Sequence, residues 1–185
     1  MTAPLTSEGH TTLTVFTQKY GSSVVDRLFQ MEIDGTPYMH SFSVSEHYVV
    51  FFLGPCNFDA ACMLTEMRNT WKGMSGCFVW DEKATSSPII VVEHSGDDAG
   101  KLIAIAQAPP LFSFHHVNAF ETKSSTSEET ILTLDMVSFA DSSVMQVYLM
   151  TYSIFCLTSY PVTLPCFLTS RALCDRLFTS TELSL

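Results

Sequence analysis

The sequence is poor in charge, and especially in positive charge. Charged residues make up 15% of the 185 residues, whereas about 25% is usual in soluble proteins. Nine Lys and Arg face nineteen Asp and Glu, which gives a formal net charge of −10. Nucleic-acid backbones are bound by clustered Lys and Arg, so we expect no nucleic-acid partner. Because 46% of the residues are apolar, the chain is long and hydrophobic enough for one folded domain rather than a disordered segment.

The sequence also lacks a C-x-x-C pair, which argues against a zinc clamp or a redox motif of that kind. The first ten residues have neither a basic stretch nor an apolar stretch of the kind found in export signals. We therefore predict a cytosolic protein, and we expect its cysteines to be reduced and mostly buried. There are six of them: Cys56, Cys62, Cys77, Cys156, Cys166 and Cys174.

Short runs of Val, Ile, Thr, Phe and Tyr dominate the chain and indicate β-strands. Turn-forming sequences such as Asp34-Gly35 and Pro109-Pro110 separate them. The pattern predicts an all-β fold of antiparallel strands joined by hairpins. The predicted strands cover Thr11 to Phe16, Tyr48 to Leu53, Cys77 to Trp80, Ile89 to Glu93, Leu102 to Ala106 and Ile131 to Val137.

Two segments leave their structure open. Residues 57–71 are compatible with either a short helix or an irregular excursion, because their apolar residues repeat only loosely. Residues 142–170 contain no charged residue, and a membrane span needs about 20 consecutive apolar residues. Pro161 and Pro165 would break a lipid-exposed helix. We therefore favour buried strands or a poorly folded tail over a membrane span.

Two of the six histidines lie in distinctive surroundings. His40 follows Pro-Tyr-Met and begins the segment His-Ser-Phe-Ser-Val-Ser-Glu-His-Tyr-Val-Val-Phe, a turn that leads directly into an apolar strand. His115 begins His-His-Val-Asn-Ala-Phe-Glu, after another apolar run. Neutral imidazoles are common ligands of iron and other transition metals.

The two segments resemble the iron-binding signatures of the carotenoid cleavage oxygenases, the family that includes the β-carotene oxygenases and the retinoid isomerase of the retinal pigment epithelium. In that family a Met-His-Ser/Asp-Phe turn leads into a Thr-Glu-x-Tyr-Val-Val/Ile-Phe strand. A Phe-His-x-x-Asn-Ala-aromatic-Glu motif follows later in the chain. This sequence contains both motifs in the same order.

The resemblance implies a seven-bladed β-propeller with Fe(II) on its axis, bound by four histidines. His40 and His115 match two of these ligands. His116 is a poorer ligand, because neighbouring side chains of a strand point to opposite sides. Glu46 and Glu121 lie within the motifs, where we expect structural roles. The other two ligands have no recognisable counterpart in this sequence.

The resemblance also implies a substrate and a reaction. The family uses O2 to cleave a double bond of a carotenoid or apocarotenoid. Stilbene-type phenylpropanoids and the isomerisation of a retinyl ester are further possibilities within it. Such hydrophobic substrates are drawn from lipid, so peripheral membrane contact is a further expectation.

A propeller blade takes roughly 40 to 50 residues, so the chain has material for about four blades. We predict that residues 1–150 form a partial carotenoid-oxygenase-like propeller. Residues 151–185 form a divergent tail, uncharged as far as Ser170. The alternative is a truncated, non-catalytic propeller fragment that lacks two of the four iron ligands and has a binding role or none. A third possibility is a generic β-sandwich with histidines in its core.

Overall fold

A computed structural model describes residues 10–66, 76–126, 129–145 and 178–185 of the chain. Strands predominate, which confirms the all-β prediction. A short helix, α1, spans Ala60–Glu66, and residues 143–145 are helical as well. The strands are β1 (His10–Gln18), β2 (Val25–Asp34), β3 (Ser43–Val44), β4 (Tyr48–Phe52), β5 (Cys56–Phe58), β6 (Phe78–Trp80), β7 (Ser87–Glu93), β8 (Leu102–Ala108), β9 (Phe112–Lys123), β10 (Thr130–Phe139) and β11 (Phe178–Ser184).

All strand pairs among the described residues are antiparallel, as predicted. A central sheet has the order β3-β4-β7-β8. A hairpin of β1 and β2 packs on one side of it, and a sheet of order β11-β10-β9 packs on the other. Strands β5 and β6 form a small separate sheet. Four-stranded antiparallel sheets such as the central one are the units of β-propellers. The number of blades stays a prediction.

The two middle strands of the central sheet, β4 and β7, are buried on both faces, because apolar residues fill consecutive positions at Val49–Phe52 and Ile89–Val92. Val50 and Phe52 of β4 face a cluster that includes Leu132 and Leu134 of β10. Val49 and Phe51 point the opposite way, against the β1–β2 hairpin. Successive side chains of a strand alternate between faces, so an uninterrupted apolar run serves two cores at once.

The segment 57–71 resolves in part into a helix. Residues 60–66 form α1. Asn57 and Phe58 belong to β5, and Asp59 lies between this strand and the helix. The Asp59 side chain accepts a hydrogen bond from the Cys62 backbone N–H at 2.9 Å. This is the contact expected of an N-capping residue.

The expectation of reduced cysteines is wrong for Cys62 and Cys77, which form a disulfide. The bond ties α1 to the start of β6. No local motif indicates it, because the two residues are 15 positions apart and only the fold brings them together. Cys56 is a buried free thiol, and burial raises its pKa above the usual value. The other three cysteines lie outside the described residues.

The Asp34-Gly35 turn directs the chain from β2 towards His40. Gly35 has a positive φ of 67°, and a Cβ atom there would lie 2.7 Å from Oδ1 of Asn57. That oxygen accepts a hydrogen bond from the backbone N–H of Thr36 at 3.0 Å. Glycine therefore meets both the dihedral and the space requirement. The Pro37–Asn57 bridge then places this segment beside β5.

Residues 146–177, which include most of the charge-free segment 142–170, lie outside the described residues, so the structure of that segment and the domain boundary at residue 150 stay predictions. The end of the predicted tail is described, and it forms β11 alongside β10. None of the helices in the described ranges is long and apolar enough to cross a membrane.

Candidate metal centre

The segment that contains His40 and the strand that contains His115 are joined by Ser41. Its hydroxyl donates a hydrogen bond to the carbonyl of Phe114 at 2.9 Å. The same oxygen accepts one from the backbone N–H of His116, also at 2.9 Å. Ser41 therefore binds the main chain on both sides of His115 and fixes that backbone against the residue that follows His40.

Two more serines continue this contact at alternate positions, so that Ser41, Ser43 and Ser45 form a serine row. Ser43 Oγ and Nδ1 of His116 share a hydrogen bond of 2.6 Å. Burial lowers the pKa of His116 to about 4, so its imidazole is neutral near pH 7. Alternate residues of an extended segment share one side, and here that side faces β9 of the neighbouring sheet.

The far end of the serine row meets Glu121 of β9. This carboxylate accepts hydrogen bonds from Ser45 Oγ at 2.6 Å, from the His47 backbone N–H at 2.8 Å and from His47 Nδ1 at 2.8 Å. Burial alone would raise the pKa of Glu121, but these hydrogen bonds outweigh it and lower the pKa. The bond to Glu121 raises the pKa of His47. We name Ser45, His47 and Glu121 the Glu121 cluster.

Strand β9 is irregular where it presents its two histidines. Met136 of β10 pairs with His116, and Ser138 pairs with Ser113. Two residues of β9, Phe114 and His115, therefore lie opposite the single residue Val137. Such a β-bulge redirects side chains and is frequent next to functional sites.

His40 and His115 lie side by side. Their ring centroids are 5.1 Å apart and the ring planes are close to perpendicular, at 86°. Both side chains are exposed. We name these residues the histidine pair. Metal–nitrogen bonds are about 2 Å long, so two imidazoles at this separation can bind one ion from adjacent positions.

Two aromatic side chains, Tyr38 and Phe114, contact His40 of the histidine pair. Phe114 lies edge-on to His40 with a centroid distance of 5.6 Å, and Tyr38 lies 6.3 Å from Phe114. The Tyr38 hydroxyl and His40 Nδ1 form a hydrogen bond of 3.0 Å. Burial raises the pKa of Tyr38, so the side chain is a neutral phenol at ordinary pH. The histidine pair thus combines exposed nitrogen atoms with an apolar aromatic base.

The remaining described histidines do not join the pair. His47 belongs to the Glu121 cluster, and Nε2 of His94 is hydrogen-bonded to the Ser45 carbonyl at 3.1 Å. The side chain of His10 lies outside the described part of the chain. Within the described ranges, no three His, Cys, Asp or Glu side chains are grouped as a metal site would require. The pair therefore offers two donors.

An apolar cleft of about 350 Å³ lies elsewhere, between the β1–β2 hairpin and the β3–β4 turn. Phe16, Phe42 and Val44 line it, together with His94. Neither member of the histidine pair reaches it. The paired imidazoles are therefore the candidate site, because they bring two nitrogen donors together.

A sequence model of the family described as "retinal pigment epithelial membrane protein" matches residues 2–154, which include both histidine motifs. The chain belongs to this family, the carotenoid cleavage oxygenases. The resemblance in the two motifs is thereby confirmed.

Curated members of the family are similar over part of the chain. The mouse (Mus musculus) β,β-carotene 15,15'-dioxygenase is 30% identical over 113 residues, which is 60% of this chain and 18% of that protein. A rice (Oryza sativa subsp. japonica) protein, the chloroplastic carotenoid cleavage dioxygenase 8 homolog B, is 30% identical over 99 residues. That match covers 53% of this chain and 16% of the rice protein. The chain thus spans less than a fifth of the length of these two relatives.

Solved structures of carotenoid cleavage oxygenases share the fold. Cobalt-substituted Synechocystis ACO aligns with 73% of this chain and 25% of its own, at a TM-score of 0.54 and 21% identity. A chimera of ACO and RPE65 covers 97% of this chain and 30% of its own, with a TM-score of 0.51 and 19% identity. At these identities the likeness establishes the fold alone.

Sequence reasoning singled out both members of the histidine pair but gave no role to Tyr38 or to the serine row. The alternation of Ser41, Ser43 and Ser45 was a usable signal, because three hydroxyls on one side of an extended segment predict a polar contact. Nothing in the sequence indicated that β9 would be the partner. The expectation of a structural role for Glu121 agrees with its hydrogen bonds to the β3–β4 turn.

Proposed function

We propose that this chain contributes two ligands, His40 and His115, to an Fe(II) centre that cleaves a double bond of a carotenoid or apocarotenoid with O2. The observation that carries the proposal is the 5.1 Å separation of these two rings. They come from motifs about 75 positions apart, on different sheets, in a chain that belongs to the carotenoid cleavage oxygenases. Convergence of distant imidazoles is the arrangement that a metal centre requires.

The donor set suits Fe(II) in kind and is incomplete in number. Imidazole nitrogen is a good ligand for iron as well as for zinc, copper and nickel. Two neutral donors bind weakly by themselves, because affinity grows with the number and preorganisation of ligands. Since the chain spans less than a fifth of the mouse and rice relatives, we propose that further ligands come from sequence beyond it. Bound Fe(II) would supply the activation of dioxygen.

The residues around the histidine pair would place and shield an apolar substrate. The rings of Tyr38 and Phe114 offer an aromatic surface next to His40. Aromatic faces bury a large apolar area, which suits a conjugated polyene. Ser41 holds the backbone beside His115, so the nitrogen donors keep their spacing while the substrate binds.

The choice of a carotenoid or apocarotenoid follows the names of the relatives, which include a β,β-carotene dioxygenase and a carotenoid cleavage dioxygenase. Stilbene-type cleavage and retinyl ester isomerisation stay alternatives within the family. Peripheral membrane contact is part of the proposal, because a polyene must leave a lipid phase to reach the site. Location in the cytosol stays a prediction, and an intramolecular disulfide is more typical of oxidising compartments.

One observation favours a second candidate, a non-catalytic fragment. Within the described residues the histidine pair has no third His, Cys, Asp or Glu ligand beside it. In that case the chain would bind an apolar ligand or a partner subunit, or have no function of its own. It would not turn over substrate.

Anaerobic titration with Fe(II), followed by addition of O2 and an apocarotenoid, tests the proposal. We expect measurable iron binding that is lost in His40→Ala and in His115→Ala. His47→Ala is the matched control, because it removes an exposed histidine outside the pair. Loss of visible polyene absorbance that requires both iron and O2 would support cleavage. Iron binding without bleaching would support the second candidate, and equal binding by the wild type and both alanine variants would refute the metal site.

A further inference from the structure

The ring of His40 has a specific neighbour on one of its two nitrogens. Nδ1 is 3.0 Å from the hydroxyl of Tyr38, two residues earlier in the chain. An exposed histidine would otherwise rotate freely about its side-chain bonds and sample both tautomers. With Nδ1 in this hydrogen bond, Nε2 is the nitrogen left for another partner.

Tyr38 is itself held in place by several independent contacts. Its backbone N–H donates to the carbonyl of Cys56 at 2.7 Å. Its ring is stacked on Phe112, with an interplanar angle of 11°, and it meets Phe78 edge-on at a centroid distance of 4.9 Å. Phe112 is buried in the core cluster that also contains Cys56. The hydroxyl therefore projects from a fixed ring.

Metal-binding histidines generally donate the N–H of the nitrogen that does not bind the metal to an oxygen, which fixes both the tautomer and the orientation of the ring. The oxygen often belongs to a carboxylate. In this chain a carboxylate, that of Glu121, binds His47 in this way, whereas the side-chain oxygen that contacts His40 is the phenol of Tyr38.

We propose that Tyr38 is the positioning residue of His40, and that its hydroxyl holds Nδ1 so that Nε2 is presented to the metal. The inference rests on the proposed metal site and adds a residue to it. When Nε2 binds a metal ion, Nδ1 carries the hydrogen and donates it to the phenol oxygen. Tyr38 therefore acts through His40 and does not touch the metal.

Tyr38→Phe removes the hydroxyl and keeps the ring. We expect the affinity for Zn²⁺, used as a redox-inert probe and measured by calorimetry, to fall about 10-fold, the lower end of the usual effect of losing such a partner. Tyr48→Phe is the matched control. It removes the hydroxyl of another partly buried tyrosine beside a histidine, since the Tyr48 and His47 rings are 6.2 Å apart, and it should leave the affinity unchanged.

Nitrogen NMR of the imidazole rings without metal gives a second readout, which a purely structural role of Tyr38 would not change. We expect one dominant tautomer for His40 in the wild type and a mixture of two in Tyr38→Phe, with His115 unaltered. Assignment follows from the signals missing in His40→Gln. A His40 tautomer ratio that is the same in the wild type and in Tyr38→Phe would overturn the inference.

The two readouts separate this inference from the proposed function. If the tautomer ratio responds to Tyr38→Phe but the wild type binds no Zn²⁺, the metal site is wrong while the contact between Tyr38 and His40 is real, and its role in metal binding falls with the site. If Zn²⁺ binds equally to the wild type and to Tyr38→Phe, the metal site stands and the positioning role is overturned.

Discussion

The two ends of the serine row differ in how many hydrogen bonds their side chains make and in how exposed their imidazoles are. At one end, the Glu121 cluster satisfies its carboxylate with three hydrogen bonds from Ser45 and His47. At the other end, the histidine pair consists of two exposed imidazoles held by main-chain and phenol contacts. The same two chain segments therefore make a saturated structural contact at one end and an open set of nitrogen donors at the other.

The comparison teaches that a histidine in a family motif is not a ligand by virtue of its residue type. His47 lies in the same motif as His40, yet its Nδ1 is bound by the carboxylate of Glu121 on β9. What distinguishes the candidate ligands is a second imidazole nearby and, among the residues that the structure describes, no carboxylate hydrogen-bonded to either ring. Metal binding should therefore depend on the open end and not on the saturated end.

The largest expected effect is a loss of stability in acid, and its source is the partly buried imidazole of His116. The pKa of this residue is about 4 in the folded protein and 6.5 in the reference state, so between these values the unfolded chain binds more protons. The free energy of unfolding should therefore fall by about 3 kcal/mol as the pH drops from 7 to below 4. Urea titrations across this range measure the effect.

His116→Gln is the variant that checks the assignment. It keeps a polar side chain next to Ser43 but cannot titrate, so most of the loss between pH 6.5 and 4 should disappear. His47→Gln serves as the control and should retain that loss. An unchanged acid profile in His116→Gln would assign the loss to other groups.

Ser41→Ala should have the next largest effect, because it removes the hydroxyl that serves the Phe114 carbonyl and the His116 N–H. A buried polar group left without a partner costs about 1–3 kcal/mol, and these groups are partly buried, so we expect a destabilisation of about 1–2 kcal/mol. Thermal or urea unfolding measures it. Iron affinity should fall in the same variant, which links the serine row to the histidine pair.

Ser95→Ala is the control for Ser41→Ala, since the Ser95 hydroxyl makes a long surface hydrogen bond of 3.4 Å to the Glu46 carbonyl. Its stability should stay within about 0.5 kcal/mol of the wild type. Equal effects of the two alanine substitutions would mean that Ser41 does not hold the two segments together.

Glu121→Ala should destabilise the fold by about 1 kcal/mol, because Ser45 and His47 lose their hydrogen bonds to the carboxylate. The effect is no larger because these groups can bond to water instead. Iron binding at the other end of the serine row should be preserved. Glu46→Ala, which removes an exposed carboxylate from the β3–β4 turn that Glu121 contacts, is the control and should change neither property. Loss of iron binding in Glu121→Ala would contradict the separation of the two ends.

The smallest effect is expected from the pH dependence of the Glu121 cluster. The pKa of Glu121 is lowered, so its contribution is present above the unfolded pKa of about 4.3 and is lost as the pH falls. The pKa of His47 is raised, so its contribution is present below about 6.5 and is lost as the pH rises through the folded value. His47→Gln should abolish the slight stability change above pH 6.5, as measured by denaturation at pH 6 and pH 8. A persistent change would exclude His47 as its source.

Much of the fold was predictable because its signals are local. Residue type alone predicts the apolar run of β4 and the strands around Ile89 and Leu102. Strand β2 was missed, because the polar residues Arg27, Gln30 and Glu32 interrupt its pattern. Pairing with β1 stabilises it despite that composition.

The candidate site was predictable in its two histidines and not in their surroundings. Both motifs are contiguous stretches of sequence, so His40 and His115 could be identified separately. The contacts of Tyr38, Ser41 and Glu121 depend on where β9 lies relative to β3 and the residues that precede it. No local pattern fixes the relative position of two sheet edges.

The sequence by itself determined that this chain forms antiparallel strands, that it disfavours polyanionic partners and that it carries two histidine motifs of the carotenoid cleavage oxygenases. These properties follow from residue composition and from short contiguous patterns. Only the tertiary structure decided that the two imidazoles lie 5.1 Å apart, that Cys62 and Cys77 are bonded and that a serine row joins the sheets. Such contacts join residues far apart in the chain, and they form only when packing of the apolar faces brings the sheets together.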